Sequence, residues 1–285
     1  MATLAIAASG GAFLADATQP QIRVEDLGLL RGESVFETLR VIDGGPVDLE
    51  GHIRRLGHSA AAVDLPPPDP AALADAAWLA IDAHPERDGV LRLVATKGSP
   101  DGVDPVRFAL ITPLPAGLDE QRSRGIAAIT LTLGITATVR PSAPWLLGGV
   151  KSTSYAVPMA GARAAHDAGG DDAIWVSSDG EVLEATTSTV LVVSGGVLCS
   201  PPDDELGLLP GLTIARVRDV ADVTDRRITV AELAAADEIL LASSVRGVVP
   251  LTSLDGVPRE IGEVGATLPA ALEARLREIA KAATR

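Results

Sequence analysis

Cysteine and lysine are nearly missing from this chain of 285 residues. Cys199 is the only cysteine, so no disulfide can close within the chain, and a reducing compartment such as the cytoplasm is expected. Its sulfur reads as a small buried hydrophobe near a strand end. Long apolar runs are absent too: stretches such as Val190-Leu191-Val192-Val193 are broken by Gly, Pro or charge well short of the roughly 20 residues that span a bilayer. Met1 to Ala8 lack the basic start of a secretory leader and are expected to form an opening strand. Basic residues are outnumbered, 24 against 38 acidic, for a formal charge of -14. Such a field repels phosphate backbones and anionic lipid, which argues against nucleic-acid and membrane partners.

Several chemical signatures are also missing. No G-x-G-x-x-G follows a strand and no G-x-x-x-x-G-K-[ST] occurs, so the common dinucleotide and nucleoside-triphosphate cradles are excluded. The four histidines, His52, His58, His84 and His166, form no close ligand pair, and no metal site is expected. His52 and His58 read as a solvated or half-buried pair on one helix. No G-x-S-x-G nucleophile elbow is present.

What remains is a chain that is 47% apolar, enough for a sizeable core. Its pattern predicts an α+β protein of two domains, a small one over 1–118 and a larger one over 119–285. In the first, Ser34 to Ile42 reads as a strand closed by the turn Asp43-Gly44-Gly45, followed by helices over 52–63 and 70–83 and strands over 91–95 and 107–112. The second is expected to be largely antiparallel, with strands at 126–133, 173–177, 190–193, 197–200 and 238–242. Helices are expected over 154–168, from about 211, and over 268–283.

Only three lysines, Lys97, Lys151 and Lys281, stand beside 21 arginines. Where arginine supplies almost every cation, a retained lysine points to work arginine cannot do, and imine formation is such work. Lys151 lies in Gly148-Gly149-Val150-Lys151-Ser152-Thr153-Ser154-Tyr155, where small residues leave room for a ring and Tyr155 offers a phenol. Glu184 leads through Ala185-Thr186-Thr187-Ser188 into an apolar strand, a setting in which a carboxylate wants a cationic partner. Leu209-Pro210-Gly211-Leu212-Thr213 introduces a helix whose N-H groups and Thr213 hydroxyl suit an anion. Ser243, Ser244 and Arg55 add further donors. An amine, an acid and a phosphate-holding cluster are what pyridoxal 5'-phosphate chemistry requires of a protein.

The ordered array H-x-x-R-L, G-x-K-[ST]-x-S-Y, L-E-x-x-[ST]-S, L-L-P-G-[IL]-T and S-S-x-R-G-V-V-P, from about Leu27 to Pro250, resembles the class IV, or fold type IV, pyridoxal-phosphate enzymes. The resemblance implies a small α/β N-terminal domain, a larger C-terminal pseudo-barrel domain and a homodimer. It makes Lys151 the Schiff-base lysine and proton carrier, sets Glu184 on the pyridine nitrogen, and brings Tyr155 to the 3'-oxygen. Arg55, Leu212, Thr213 and Ser243 or Ser244 are implied on the phosphate, with Thr187 and Ser188 also against the cofactor. Phe36 and Lys97 are implied at the substrate, where D-amino-acid transaminases often carry tyrosine and arginine. Ala185, Thr189 and Ile214 also depart from the family's usual glycine, asparagine and arginine.

The Ala-Pro-Trp loop, the lysine box and the Ser-Val-Arg-Gly-Val-Val-Pro segment look most similar to lyase members. The expected activity is therefore that of a 4-amino-4-deoxychorismate lyase acting on a small primary amine. The alternative is a transaminase for D-amino acids or (R)-amines; a branched-chain aminotransferase or a non-catalytic binding protein ranks lower.

Overall fold

The computed structural model describes residues 1–284 and divides into two compact units. The first comprises Met1–Pro115, Val150–Ser154 and the C-terminal segment from Leu276; the second comprises Ala116–Gly149 and Tyr155–Arg275. The five-residue segment that carries Lys151 thus groups with the first unit.

In the first unit, β1 (Thr3–Ala8), β2 (Gly11–Ala15), β3 (Ser34–Ile42), β4 (Gly45–Pro46), β5 (Gly89–Thr96) and β6 (Arg107–Thr112) form one antiparallel sheet ordered β2-β1-β6-β5-β3-β4. A short α1 (Leu27–Leu30) precedes β3, and α2 (Leu49–Ala62) and α3 (Pro70–Ala83) lie between β4 and β5. Helix α3 begins where the sequence dictates: Asp69 accepts from the N-H groups of Ala71 and Ala72, and Pro70 occupies a first-turn position that needs no N-H. Alternation along β3 sends Val35, Leu39 and Val41 into a core shared with Ile53 and Leu56 of α2 and Leu73, Ala76 and Ala80 of α3. Glu37 falls on this same inward set, and its side chain is fully buried.

The second unit contains α4 (Leu118–Arg124), β7 (Ile126–Thr132), α5 (Val139–Ser142), α6 (Ala156–Asp167), β8 (Asp172–Val176), β9 (Val182–Ala185), β10 (Thr189–Ser194) and β11 (Val197–Ser200). It continues with α7 (Asp203–Leu206), α8 (Leu212–Val217), β12 (Thr224–Asp225), α9 (Val230–Ala235), β13 (Glu238–Ser243), β14 (Gly247–Leu254), β15 (Val257–Pro258) and α10 (Glu263–Ala282), the last divided between the units at Leu276. The sheet order is β12-β11-β10-β13-β14-β7-β8-β9, with β15 on β14. Most of its pairings are antiparallel, as expected, but β7 pairs parallel with both β14 and β8, and β11 pairs parallel with β12. Helix α6 lies between β7 and β8, and α7 and α8 lie between β11 and β12, and a strand joined by a crossover is free to pair in parallel.

Helix α10 starts five residues before the expected 268. The buried Glu238 carboxylate, at the start of β13, accepts from the N-H groups of Gly262 (3.0 Å), Val264 (3.0 Å) and Gly265 (2.6 Å). A cap supplied from a remote strand satisfies donors that a helix start otherwise leaves to water. A Cβ at Gly265 would stand 2.7 Å from that carboxylate, so glycine is needed for the approach. Glu238→Gln, which replaces one of the two accepting oxygens with an NH2 donor facing these N-H groups, should cost about 1–3 kcal/mol. Thermal melts read by circular dichroism check this, and an unchanged midpoint would count against the cap.

Candidate active site

The segment Val150–Ser154 is strapped to the outer edge of β3 by main-chain bonds. Ser152 bridges Val35 in antiparallel fashion, the Phe36 N-H donates to the Lys151 carbonyl (3.0 Å), and the Thr153 N-H donates to the Ser34 carbonyl (2.8 Å). β4 reaches only the far end of β3, at Val41 and Ile42, which leaves this stretch open for pairing. The Lys151 N-H donates to Ser59 Oγ of α2 (3.1 Å), and the Ser34 and Thr153 hydroxyls hydrogen-bond each other. The Lys151 main chain is therefore fixed from two elements. Its ammonium stands 4.5 Å from the centre of the Phe36 ring, so the structure brings these two predicted residues together.

Lys97, just past β5, places its ammonium against the Glu33 carboxylate, and its N-H donates to the Glu33 carbonyl (3.2 Å). That ion pair sits beyond the Ser34–Thr96 end of the β3–β5 ladder. A lysine neutralised in this way is a poorer magnet for a substrate carboxylate than an arginine with both edges presented.

Arg55 projects from α2 onto Glu37, with Nε on Oε1 and Nη2 on Oε2, both at 2.7 Å, while His52 Nδ1 stands 2.6 Å from Oε2. A guanidinium has five N-H donors, so the two bonds to Glu37 are compatible with a further anion contact. Burial pushes the Glu37 carboxyl up, but the Arg55 and then the His52 hydrogen bonds outweigh it and hold the group at about 2. Burial lowers His52 against the pull of Glu37, so a neutral imidazole donates Nδ1-H to the carboxylate. The expected solvated or half-buried pair of histidines is therefore corrected: His52 is buried in this network, whereas His58 is exposed. Sequence reasoning passed over Glu37, although an acid on an inward strand position, facing a helix with His and Arg three residues apart, is a readable signal.

In the second unit, Glu184 on β9 receives Arg140 Nη1 on Oε1 at 3.0 Å. The arginine stem is seated in a slot cut by two glycines: a Cβ at Gly148 or at Gly207 would stand 2.8 Å from Arg140 Cβ. Nothing in the sequence around Arg140 points to Glu184, because only the fold brings α5 to β9. Thr213 Oγ1 and Ser244 Oγ lie 3.4 Å apart, uniting the start of α8 with the β13–β14 turn. Ser188 is buried in the β9–β10 turn, where its carbonyl accepts from the Ala185 N-H (2.8 Å), whereas Thr187 is exposed. Tyr155 immediately precedes α6. Helix α8 has only six residues, so the Leu212 and Thr213 region offers N-H groups and one hydroxyl rather than a long dipole. Among the described residues no group of three His, Cys, Asp or Glu side chains could hold a metal, and no helix is long and apolar enough to cross a membrane.

The donor chemistry fits pyridoxal phosphate in kind. The first unit offers an amine on a fixed backbone; the second offers a carboxylate steadied by a guanidinium and paired hydroxyls suited to an anion. Residues 34–254 match the family described as amino-transferase class IV, and the chain belongs to that pyridoxal-phosphate-dependent enzyme family. It is similar to the bifunctional aminodeoxychorismate lyase / D-amino acid transaminase of Mycobacterium tuberculosis, 37% identical over 270 residues that cover 87% of this chain and 92% of the relative. Among solved structures it resembles a fold IV-transaminase of Curtobacterium pusillum, with a TM-score of 0.89, 38% identity and coverage of 97% of this chain and 99% of that one. A hypothetical aminotransferase from Mycobacterium tuberculosis in its PLP-bound form gives 0.90 at 32% identity, covering 98% of this chain and 99% of the other. These likenesses agree with the expected α+β, fold type IV architecture.

Proposed function

We propose that this enzyme converts 4-amino-4-deoxychorismate to 4-aminobenzoate and pyruvate, with Lys151 as the residue that carries the cofactor and moves the proton. The observation that carries this reading is the 37% identity, over most of both chains, to a relative named for that lyase activity. When bound, pyridoxal phosphate supplies an aldehyde that joins amines and a protonated ring that draws electrons from the adjacent atom. The protein does the rest. Lys151 acts as base toward the substrate's ring proton; that proton ends on pyruvate, and the remaining ring is aromatic, so the atoms balance without a second substrate. Glu184, steadied by Arg140, keeps the pyridine nitrogen protonated, and Tyr155 faces the 3'-oxygen. Arg55, Leu212, Thr213, Ser243 and Ser244 hold the phosphate, Thr187 and Ser188 flank the cofactor, and Phe36 and Lys97 border the substrate.

A second reading, transamination of D-amino acids with 2-oxo acids, is supported by the other activity in that relative's name and by the likeness to a fold IV-transaminase. Purified protein incubated with 4-amino-4-deoxychorismate should release equal amounts of 4-aminobenzoate and pyruvate. Absence of 4-aminobenzoate, with glutamate appearing from D-alanine and 2-oxoglutarate, would replace the first reading by the second. A cytoplasmic homodimer belongs to the same proposal. The exposed Leu29, Leu30 and Trp145 are consistent with surfaces covered by a second copy, which light scattering checks.

A further inference from the structure

One buried ion pair in the second unit ties together two turns that the proposed function uses. Arg246 lies in the β13–β14 turn, two residues after Ser244. Its Nη2 reaches Asp172 Oδ2 at the start of β8 (2.5 Å) and Ser188 Oγ in the β9–β10 turn (3.0 Å). The other Asp172 oxygen accepts from Thr186 Oγ1 (2.6 Å) and from the Ala173 N-H (2.9 Å). One carboxylate therefore braces residues 186–188 against residues 243–247. Arg122 of α4 holds the latter turn through its carbonyls, donating to Val245 (2.7 Å) and Arg246 (3.1 Å), and Thr213 meets Ser244 within the same turn.

The pair is nearly sealed from water, with side-chain exposures of 12% for Arg246 and 3% for Asp172. Arg246 Nε is buried with no hydrogen-bond partner among the described residues. A buried ion pair adds little net stability over an apolar pair of like volume, and an unsatisfied N-H subtracts from it. What such a pair does supply is a fixed geometry. The geometry fixed here is that of the hydroxyl-bearing turns at Ser188 and at Ser243 and Ser244.

We propose that Arg246, acting through Asp172, is a positioning residue that holds the Ser243–Ser244 turn in the arrangement that receives the cofactor's phosphate. This rests on the reading that those serines and Thr213 hold that phosphate. Arg246 touches neither cofactor nor substrate in this role. It sets where the hydroxyls point.

The test uses full-length protein stripped of cofactor and titrated, by absorbance, with pyridoxal phosphate and separately with pyridoxal, which lacks the phosphate. Arg246→Met should weaken pyridoxal phosphate by about tenfold or more and pyridoxal by less than about threefold, the loss expected when supported hydrogen bonds go slack. Arg246→Lys should recover part of the difference. Asp172→Asn should act in the same direction, and the double variant should be no worse than the poorer single one, since the two form one device. Melting of the cofactor-free variants checks the fold, and Arg246→Lys carries the test if Arg246→Met does not fold. Equal losses for both ligands, or none, would overturn the proposal. The combined variant Thr213→Val with Ser244→Ala separates the two levels: if it leaves the ratio of the two affinities unchanged, the phosphate reading itself falls. If that ratio drops there but not on changing Arg246, only the positioning role falls.

Discussion

Lys151→Ala protein is expected to purify without the yellow of bound cofactor and to lose turnover by about 10⁴-fold, the upper range for removal of a positioned general base. The fold should survive, because the bonds that anchor residue 151 to Ser59 and Phe36 run through its main chain and do not need the side chain. Lys151→Arg is the sharper variant. It keeps a cation beside Phe36 but cannot form the imine, so its stability should match the parent while its turnover does not. Borohydride reduction of the parent, followed by peptide mapping, should find the pyridoxyl label on Lys151. A label on Lys97 or Lys281, or an alanine variant within about tenfold of the parent rate, would remove Lys151 from its role.

Acid should expose the second large effect. Glu37 is held at about 2 against an ordinary 4.5, with His52 and Arg55 as its partners. A carboxyl depressed on folding stabilises the protein fully above its unfolded value and loses that contribution as pH falls toward the folded one. At about 1.4 kcal/mol per unit this is about 3 kcal/mol, lost between roughly pH 4.5 and pH 2. His52 works in the same direction from a higher pH. Its folded value is lowered by burial, so from about 6.5 downward the unfolded chain takes up the proton more readily than the folded one. Glu37→Gln should cost about 3–5 kcal/mol at neutral pH, because Arg55 then lies against an uncharged partner in a site nearly closed to water. The variant should also show a flatter acid limb in melts taken from pH 7 to pH 3. A neutral-pH midpoint unchanged by the substitution would show that the network contributes nothing to folding.

Much of the chemistry was legible because it is local. The lysine box, the Leu-Pro-Gly-Leu-Thr start and the Ser-Ser turn each fit within a few residues, and the hairpin after Ile42 announces itself through Asp43-Gly44-Gly45. What escaped depends on partners far along the chain. Strand β14 is not among the expected strands, and its Pro250 sits in a stretch that pairs with Leu240 of β13. The parallel register of β7 and the early start of α10 are set by β8, β14 and Glu238, which no window around those elements contains. The grouping of residues 150–154 with the first unit has the same origin: Ser152 meets Val35 across more than a hundred residues of chain. The Glu37 network, by contrast, is written locally in the sequence. A charge on an inward strand position has an address as definite as that of a leucine.

The strapping of residues 150–154 to β3 has a mechanical outcome. With the Cα of Lys151 immobilised by flanking ladder bonds, its amine can travel only by rotation about its own side-chain torsions, so the reach of that nitrogen is set by the main chain of one short segment.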